Sequence, residues 1–257
     1  MSLTRTSMSY FNIIKLDATP STNDYLKHKH KKGQASDRDL VWAKDQTSGR
    51  GQRENKWESD SENSLTFSIY KDFKGIRVPS PFLISAVISL GIIEALEALE
   101  IPNLAIKWPN DTLSGDQKIG GILIENFFYS GKLKTAVIGI GLNISQEAFD
   151  YAPFAASLKQ VSGKHFTVNQ VLEVLLPFLE NALYTSDFNE SKRLLDRYQS
   201  KLWKRNKTTS FLEAGEIIAA TPLGVTLEGK LILELKGNKI VEKDTQQIRM
   251  CYETKQA

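Results

Sequence analysis

Hydrophobic and polar positions alternate with a period of two in residues 64–70 (SLTFSIY), placing Leu65, Phe67 and Ile69 on one face of a strand and Ser64, Thr66 and Ser68 on the other. One face should meet a core and the other something polar. The same period in residues 136–144 (AVIGIGLNI) separates Ile138, Ile140, Leu142 and Ile144 from Gly139, Gly141 and Asn143, so this strand carries a nearly bare face. Glycine weakens a strand interior and is expected where a ligand or another backbone approaches closely. Tight packing of a helix on the glycines is the other reading. Apolar runs at 39–44, 104–108 and 119–126 predict three further strands. An apolar stretch opened by Ser80 and Pro81 predicts a helix to about residue 100.

Helix grammar organises residues 21–33. Ser21 and Thr22 suit an N-cap, Asp24 stands where a capping box counted from Ser21 needs it, and Gly33 suits a left-handed end. The basic run from Lys27 to Lys32 then reads as a solvated helix end that complements the dipole, not as a nucleic-acid patch. Residues 167–203 predict helix with a kink or break at Pro177. From residue 206 the pattern changes to short strands at 216–220, 225–228, 230–235 and 247–252, a small β-barrel of about 50 residues. We therefore expect a mixed α/β domain over residues 1–205 and a β domain over residues 206–257.

Composition narrows the classes. Over 257 residues, 41% are hydrophobic and 25% charged, values of a globular protein. The sequence has no apolar run of about 18 residues and no secretory leader at its start, which predicts a cytoplasmic protein. The lone Cys251 forbids an intramolecular disulfide and fits a reducing compartment. His28, His30 and His165 lack the spacing of a zinc site, so no protein-held metal is expected. A net charge of +3 is too small to imply nucleic acid, although it suits a protein that handles anions.

Three segments carry candidate chemistry. Residues 106–113 (IKWPNDTL) read as a strand ending in a turn that gathers Lys107, Asn110 and Asp111. A lysine, an amide and a carboxylate together can bind phosphate, orient a nucleotide and steer an amine or a magnesium ion. A turn with surface charges is the alternative. In residues 118–125 (KIGGILIE), Lys118 leads through Gly120 and Gly121 into a buried strand, where its charge can neutralise a substrate carboxylate and an α-phosphate together, a charged turn residue being the alternative. Residues 46–57 (QTSGRGQRENKW) read as a mobile cationic lid bearing Arg50, Arg53 and Lys56. Phosphate-loop, dinucleotide-fingerprint, GxSxG and HExxH strings are all missing, which disfavours phosphate-loop kinases, Rossmann dehydrogenases and the common hydrolases.

The order of five motifs resembles the biotin protein ligase family: SerThrAsn at 21–23, GlyArgGly at 49–51, LysTrpProAsnAsp at 107–111, LysIleGlyGlyIleLeuIleGlu at 118–125 and GlyIleGlyLeuAsn at 139–143. The resemblance is close over residues 14–145 and looser beyond. It implies an α+β catalytic domain similar to class II aminoacyl-tRNA synthetases, followed by a C-terminal SH3-like β-barrel. It also implies ATP and biotin as substrates, with Mg2+ carried by ATP, forming biotinyl-adenylate and then passing biotin to a lysine of a biotin carboxyl carrier domain. By matching position, Ser21, Thr22, Asn23, Gln46, Gly49, Arg50, Gly51, Lys118, Gly120 and Gly121 would bind biotin. Arg53, Trp57, Lys107, Asn110, Lys118 and Asn143 would bind ATP. Lys118, Arg50, Lys107 and Asp111 would carry the catalysis, with Asp111 orienting or deprotonating the incoming lysine.

Two positions depart from the family pattern. Gln52 stands where many relatives have arginine, and Pro20 where many have an acidic residue. Only 20 residues precede the first motif, so the resemblance is to the monofunctional type without an N-terminal DNA-binding domain, acting on no nucleic acid or membrane. Relatives often form homodimers. A lipoate ligase or octanoyltransferase, or a non-catalytic biotin sensor, are the alternative readings.

Overall fold

The structure is a computed structural model that describes residues 11–52, 55–149 and 152–252, so Arg53 of the predicted lid lies outside it. The first half of the chain forms β1 (Asn12–Thr19), α1 (Thr22–Lys31), β2 (Asp39–Gln46), β3 (Ser64–Asp72), α2 (Phe82–Ala98), β4 (Leu104–Lys107), β5 (Asp111–Ser114), β6 (Gln117–Tyr129) and β7 (Lys132–Asn143). These strands make one seven-stranded sheet in the order β1-β2-β3-β7-β6-β5-β4. Only its edge pair, β1 with β2, is parallel. The sequence patterning did not single out β1, whose adjacent Ile13 and Ile14 break a period of two. Its register matters to the site, because Thr19 opposite Gln46 brings the start of α1 beside the end of β2.

The alternation in β3 and β7 sets up the two faces of this sheet. Leu65, Phe67, Ile69, Ile138, Ile140 and Leu142 enter the main core with α2, as the period-two pattern requires. Their neighbours face the other way, and the register sets Ser64 opposite Asn143, Thr66 opposite Gly141 and Ser68 opposite Gly139. The helix α1 covers half of that second face, packing Leu26 with Val41, Tyr70 and Val137. The other half stays open.

The predicted limits of α1 hold with one correction. Ser21 Oγ accepts from the Asp24 N–H, but the Asp24 carboxylate pairs with Lys27 and Arg50, away from the reciprocal bond of a capping box. Gly33 takes φ +67°, and the N–H of Gln34 closes on the Lys29 carbonyl, a left-handed end. The basic run is less solvated than expected: Lys27 pairs with Glu125, Lys29 with Asp39, and His30 Nδ1 lies 2.8 Å from the Tyr70 hydroxyl.

Past the sheet come α3 (Leu158–Ser162), α4 (Val168–Tyr184) and α5 (Ser191–Ser200). Pro177 lies inside α4 without ending it, and the break falls after Tyr184 instead. The proline is exposed, and flanking Leu175, Leu179 and Ala182 are buried, so packing against α2 carries the helix past its missing N–H. Gly91 of α2 permits this approach: a Cβ there would stand 3.1 Å from the Ala182 Cβ.

A second sheet contains β8 (Thr209–Glu213), β9 (Glu216–Val225), β10 (Leu231–Leu235), β11 (Lys239–Lys243) and β12 (Ile248–Met250), in the order β11-β10-β9-β8-β12. The strands predicted at 216–220 and 225–228 are corrected to a single β9 ending at Val225, followed by a turn at Gly229 with φ +86°. This sheet shares its core with the elements that precede it: Phe211, Leu231, Leu233 and Ile248 pack with Ile93, Trp108, Tyr198 and Trp203. The Trp108 indole N–H also donates to the Gly229 carbonyl at 2.9 Å. Among the described residues no helix is long and apolar enough to cross a membrane.

Candidate functional site

A cavity of about 1170 Å³ opens on the uncovered half of the first sheet. Its floor runs across three strands, where the register aligns Thr66 of β3, Gly141 of β7 and Gly121 of β6. The helix-packing reading of the bare strip applies at one glycine, and a side chain that the sequence did not point to fills the space at another. At Gly139 a Cβ would collide with the Asn23 amide of α1, so there the missing side chain admits a helix. At Gly141 it would overlap the Trp57 indole, so there it admits the ring of the 46–57 loop.

One end of the cavity is lined by the uncharged polar side chains of Ser21, Thr22, Asn23 and Gln46, with the Glu125 carboxylate bonded to Asn23. The backbone N–H and hydroxyl of Thr22 donate to Gln46 Oε1 at 3.0 and 3.2 Å. Ser68 Oγ lies 2.7 Å from Thr22 Oγ1 and 2.6 Å from Asn23 Oδ1. The Asn23 Nδ2 donates to Glu125 Oε2 at 2.8 Å and to the Leu123 carbonyl at 3.3 Å. Ser21, Thr22, Asn23 and Gln46 all line the cavity. Sequence reasoning did not assign Ser68 and Glu125 to this network, although Ser68 lay on the predicted polar face and Glu125 closes the KIGGILIE string.

The glycine loop is latched to this end. Arg50 donates to Asp24 Oδ1 at 2.5 Å and lies 3.5 Å from Glu125 Oε1, the oxygen that Lys27 also approaches at 2.6 Å. The Gly51 N–H donates to the Asn55 carbonyl and the Trp57 N–H to the Gly49 carbonyl, which ties the described sides of the loop together. Arg50, Gly51 and Trp57 line the cavity. Gly49 is buried behind it, where a Cβ would collide with the Trp57 carbonyl.

The other end is charged. Lys118 Nζ stands 2.6 Å from Asp111 Oδ1, Lys107 Nζ 3.8 Å from Oδ2, and the Tyr252 hydroxyl donates to Oδ2 at 2.6 Å. Burial alone would raise the Asp111 carboxyl, but the two ammonium groups and the hydrogen bonds from Lys118 and Tyr252 outweigh it and hold the group below its usual range. Lys107 is 5% exposed. Burial lowers its pKa, with Asp111 opposing and Lys118 adding to the fall. An arriving polyphosphate would reverse that fall.

These signs give a stability prediction. A carboxyl whose folded pKa is depressed stabilises the fold above its unfolded value of about 3.9, and that contribution fades as pH falls through the lower folded value. Asp111→Asn is therefore expected to lower the urea midpoint at pH 7, with a gap from the parent that narrows below about pH 3.9. A gap independent of pH would contradict this charge assignment.

The remaining predicted residues divide between the cavity wall and the layer behind it. The Asn110 side-chain amide donates to the Ile122 carbonyl while the Asn110 backbone carbonyl accepts from the Ile122 N–H, so the residue ties the turn to β6 as it lines the cavity. The Asn143 amide donates to the Ala156 carbonyl at 3.1 Å. It thereby braces the segment whose Phe154 carbonyl and Ala156 N–H bond the backbone of Lys118. Asn143 does not line the cavity, and neither does Gly120, which turns toward Leu142. Tyr252, Arg249 and Phe154 do line it. Nothing local in their sequence marks them, because they arrive through tertiary packing. Among the described residues no cluster of acidic, histidine or cysteine side chains suits a metal ion.

The chain's sequence and fold place it among known proteins. Residues 16–143 match the biotin/lipoate A/B protein ligase family. The bifunctional ligase/repressor BirA of Bacillus spizizenii is 28% identical over 87% of this chain and 69% of its own length. The biotin–[acetyl-CoA-carboxylase] ligase of Mycobacterium tuberculosis is 26% identical over 87% of this chain and 83% of its own. The solved structure of the biotin protein ligase from Aquifex aeolicus in complex with biotin and ATP superposes with a TM-score of 0.75 at 27% identity, covering 93% of this chain and 99% of that one. With its biotin/lipoate A/B protein ligase domain in residues 16–143, the chain is a homologue of the biotin–protein ligases.

Proposed function

We propose that this protein is a biotin–protein ligase that joins biotin to AMP and then to a lysine of a biotin carboxyl carrier domain. The observation that carries this reading is a single cavity with an uncharged hydrogen-bonding end at Ser21, Thr22, Asn23 and Gln46, a cationic end at Lys107 and Lys118, and a glycine floor between them. A molecule with a compact polar ring, an apolar chain and a terminal carboxylate fits that sequence of surfaces. The ureido ring hydrogen-bonds at the first end, as buried polar atoms must, and the carboxylate reaches Lys118.

In the first half-reaction a biotin carboxylate oxygen attacks the α-phosphorus of Mg-ATP and pyrophosphate leaves. Lys118 neutralises the two anions as they approach, and Lys107 serves the nucleotide side with Asn110 and Trp57. In the second, the acceptor amine attacks the acyl carbon, the acyl–oxygen bond breaks, AMP leaves with the electron pair and the surplus proton passes to solvent. Asp111, held ionised by its neighbours, is better suited to orienting that amine than to removing its proton.

Several finer assignments belong to the same reading. Residues 1–205 form a catalytic domain of the class II aminoacyl-tRNA synthetase type and residues 206–257 an SH3-like barrel. The enzyme works in the cytoplasm, binds no nucleic acid and self-associates as a homodimer. Arg50 keeps the loop closed over the adenylate through Asp24 and Glu125. We expect Arg50→Gly to release biotinyl-adenylate early and to biotinylate lysines of a bystander protein. Unchanged retention and an unchanged product spectrum would argue against the lid.

Incubation with biotin, Mg-ATP and a carrier domain, followed by intact-mass measurement, tests the central reading. One biotin per carrier at a single lysine is the expected outcome. Pyrophosphate exchange stimulated by lipoate and not by biotin would overturn the substrate assignment.

A further inference from the structure

Tyr252 follows β12 of the second sheet, yet its hydroxyl reaches Asp111 of the first. We propose that Tyr252 is a positioning residue for acyl transfer, holding the Asp111 carboxylate in the orientation that receives the acceptor amine. This inference rests on the ligase reading of the cavity.

The geometry gives each Asp111 oxygen a close donor, Lys118 on Oδ1 and Tyr252 on Oδ2, both at 2.6 Å. Two donors on different oxygens fix both the position and the plane of a carboxylate. When Lys118 turns to the reacting anions, the Tyr252 bond remains to anchor Oδ2. The ring itself is clamped. It stacks on Phe154 with centroids 5.0 Å apart and planes 8° from parallel, and Lys107 Nζ sits 4.2 Å from its centroid. Phe154 also bonds the Lys118 backbone through its carbonyl at 2.8 Å. Tyr252 is thus in contact with Asp111 and Lys107 and is linked to Lys118 through Phe154. Burial, with Asp111 adding to it, pushes the phenol far above its ordinary range, so it remains a donor.

Packing alone would need only the ring, and Tyr252→Phe keeps the ring while removing the donor. Two readouts separate positioning from packing: biotin-dependent ATP–pyrophosphate exchange, and single-turnover transfer from preformed biotinyl-adenylate to a carrier domain. Loss of one hydrogen bond to a charged group is expected to slow transfer about tenfold while exchange changes less than about threefold. Because the hydroxyl acts through Asp111, adding Tyr252→Phe to Asp111→Asn should cost transfer less than about twofold more.

Transfer at the parent rate overturns the proposal, as does equal slowing of both half-reactions or full multiplicative losses in the double variant. A lower melting temperature with unchanged transfer also overturns it, by showing the hydroxyl to be structural. If the parent forms no biotinyl-adenylate, the ligase reading fails and this inference fails with it. A parent that forms and transfers adenylate, beside a Tyr252→Phe that matches it, removes only the role of Tyr252.

Discussion

Lys118→Ala is expected to lose about 2–4 kcal/mol of transition-state stabilisation in adenylate formation, roughly 30- to 900-fold in rate, by analogy with removal of a preorganised electrostatic donor. Lys118 holds its backbone through Phe154 and Ala156, bonds that an alanine keeps, so the wall survives and the loss reports charge. Truncation also leaves Asp111 with Lys107 and Tyr252 as partners, so the site gains net negative charge where two anions must meet. Biotin-dependent pyrophosphate exchange measures the effect. Exchange near the parent rate would refute the role of Lys118.

Gly139→Val is expected to damage stability and biotin binding together. The added Cβ collides with the Asn23 amide, which Glu125, Leu123 and Ser68 hold on three sides, so the start of α1 must shift. Overpacking of this kind costs about 1–3 kcal/mol, a fall of roughly 2–12 °C in Tm for a protein of this size. The same shift carries Thr22 away from Gln46 and weakens the uncharged end of the cavity. Gly141→Val provides the contrast, since its added Cβ meets the Trp57 ring of the 46–57 loop and not the start of α1. It should melt closer to the parent while still obstructing the floor. Melting curves and calorimetric titration with biotin decide the matter: a Gly139→Val protein that matches the parent in both leaves the argument without support.

Much of the site was legible because its signals are local. The period of two in β3 and β7 predicted which residues face the core, and the same alternation exposed the glycine strip. LysTrpProAsnAsp announced a strand end with three polar groups gathered on it. What escaped depends on distant partners. β1 owes its place to pairing with β2, and Pro177 is carried inside α4 by buried neighbours that sequence grammar does not weigh. Asn143 sits on the predicted face, yet its amide is taken up by the Ala156 carbonyl, which no spacing rule could foresee. Tyr252 lies 141 positions from Asp111 in sequence, and only the seam between the sheets unites them.

That seam has a consequence for the protein's birth on the ribosome. Synthesis delivers the glycine floor and both lysines long before Ile248, Arg249 and Tyr252, which close the cavity's last wall. Domains fold as they emerge, from the N-terminal side first, so a nascent chain holds an open half-site while Ile93, Trp108 and Tyr198 wait for the apolar residues of the second sheet. The order of translation thus makes the wall at Ile248, Arg249 and Tyr252 the last part of the cavity to be completed.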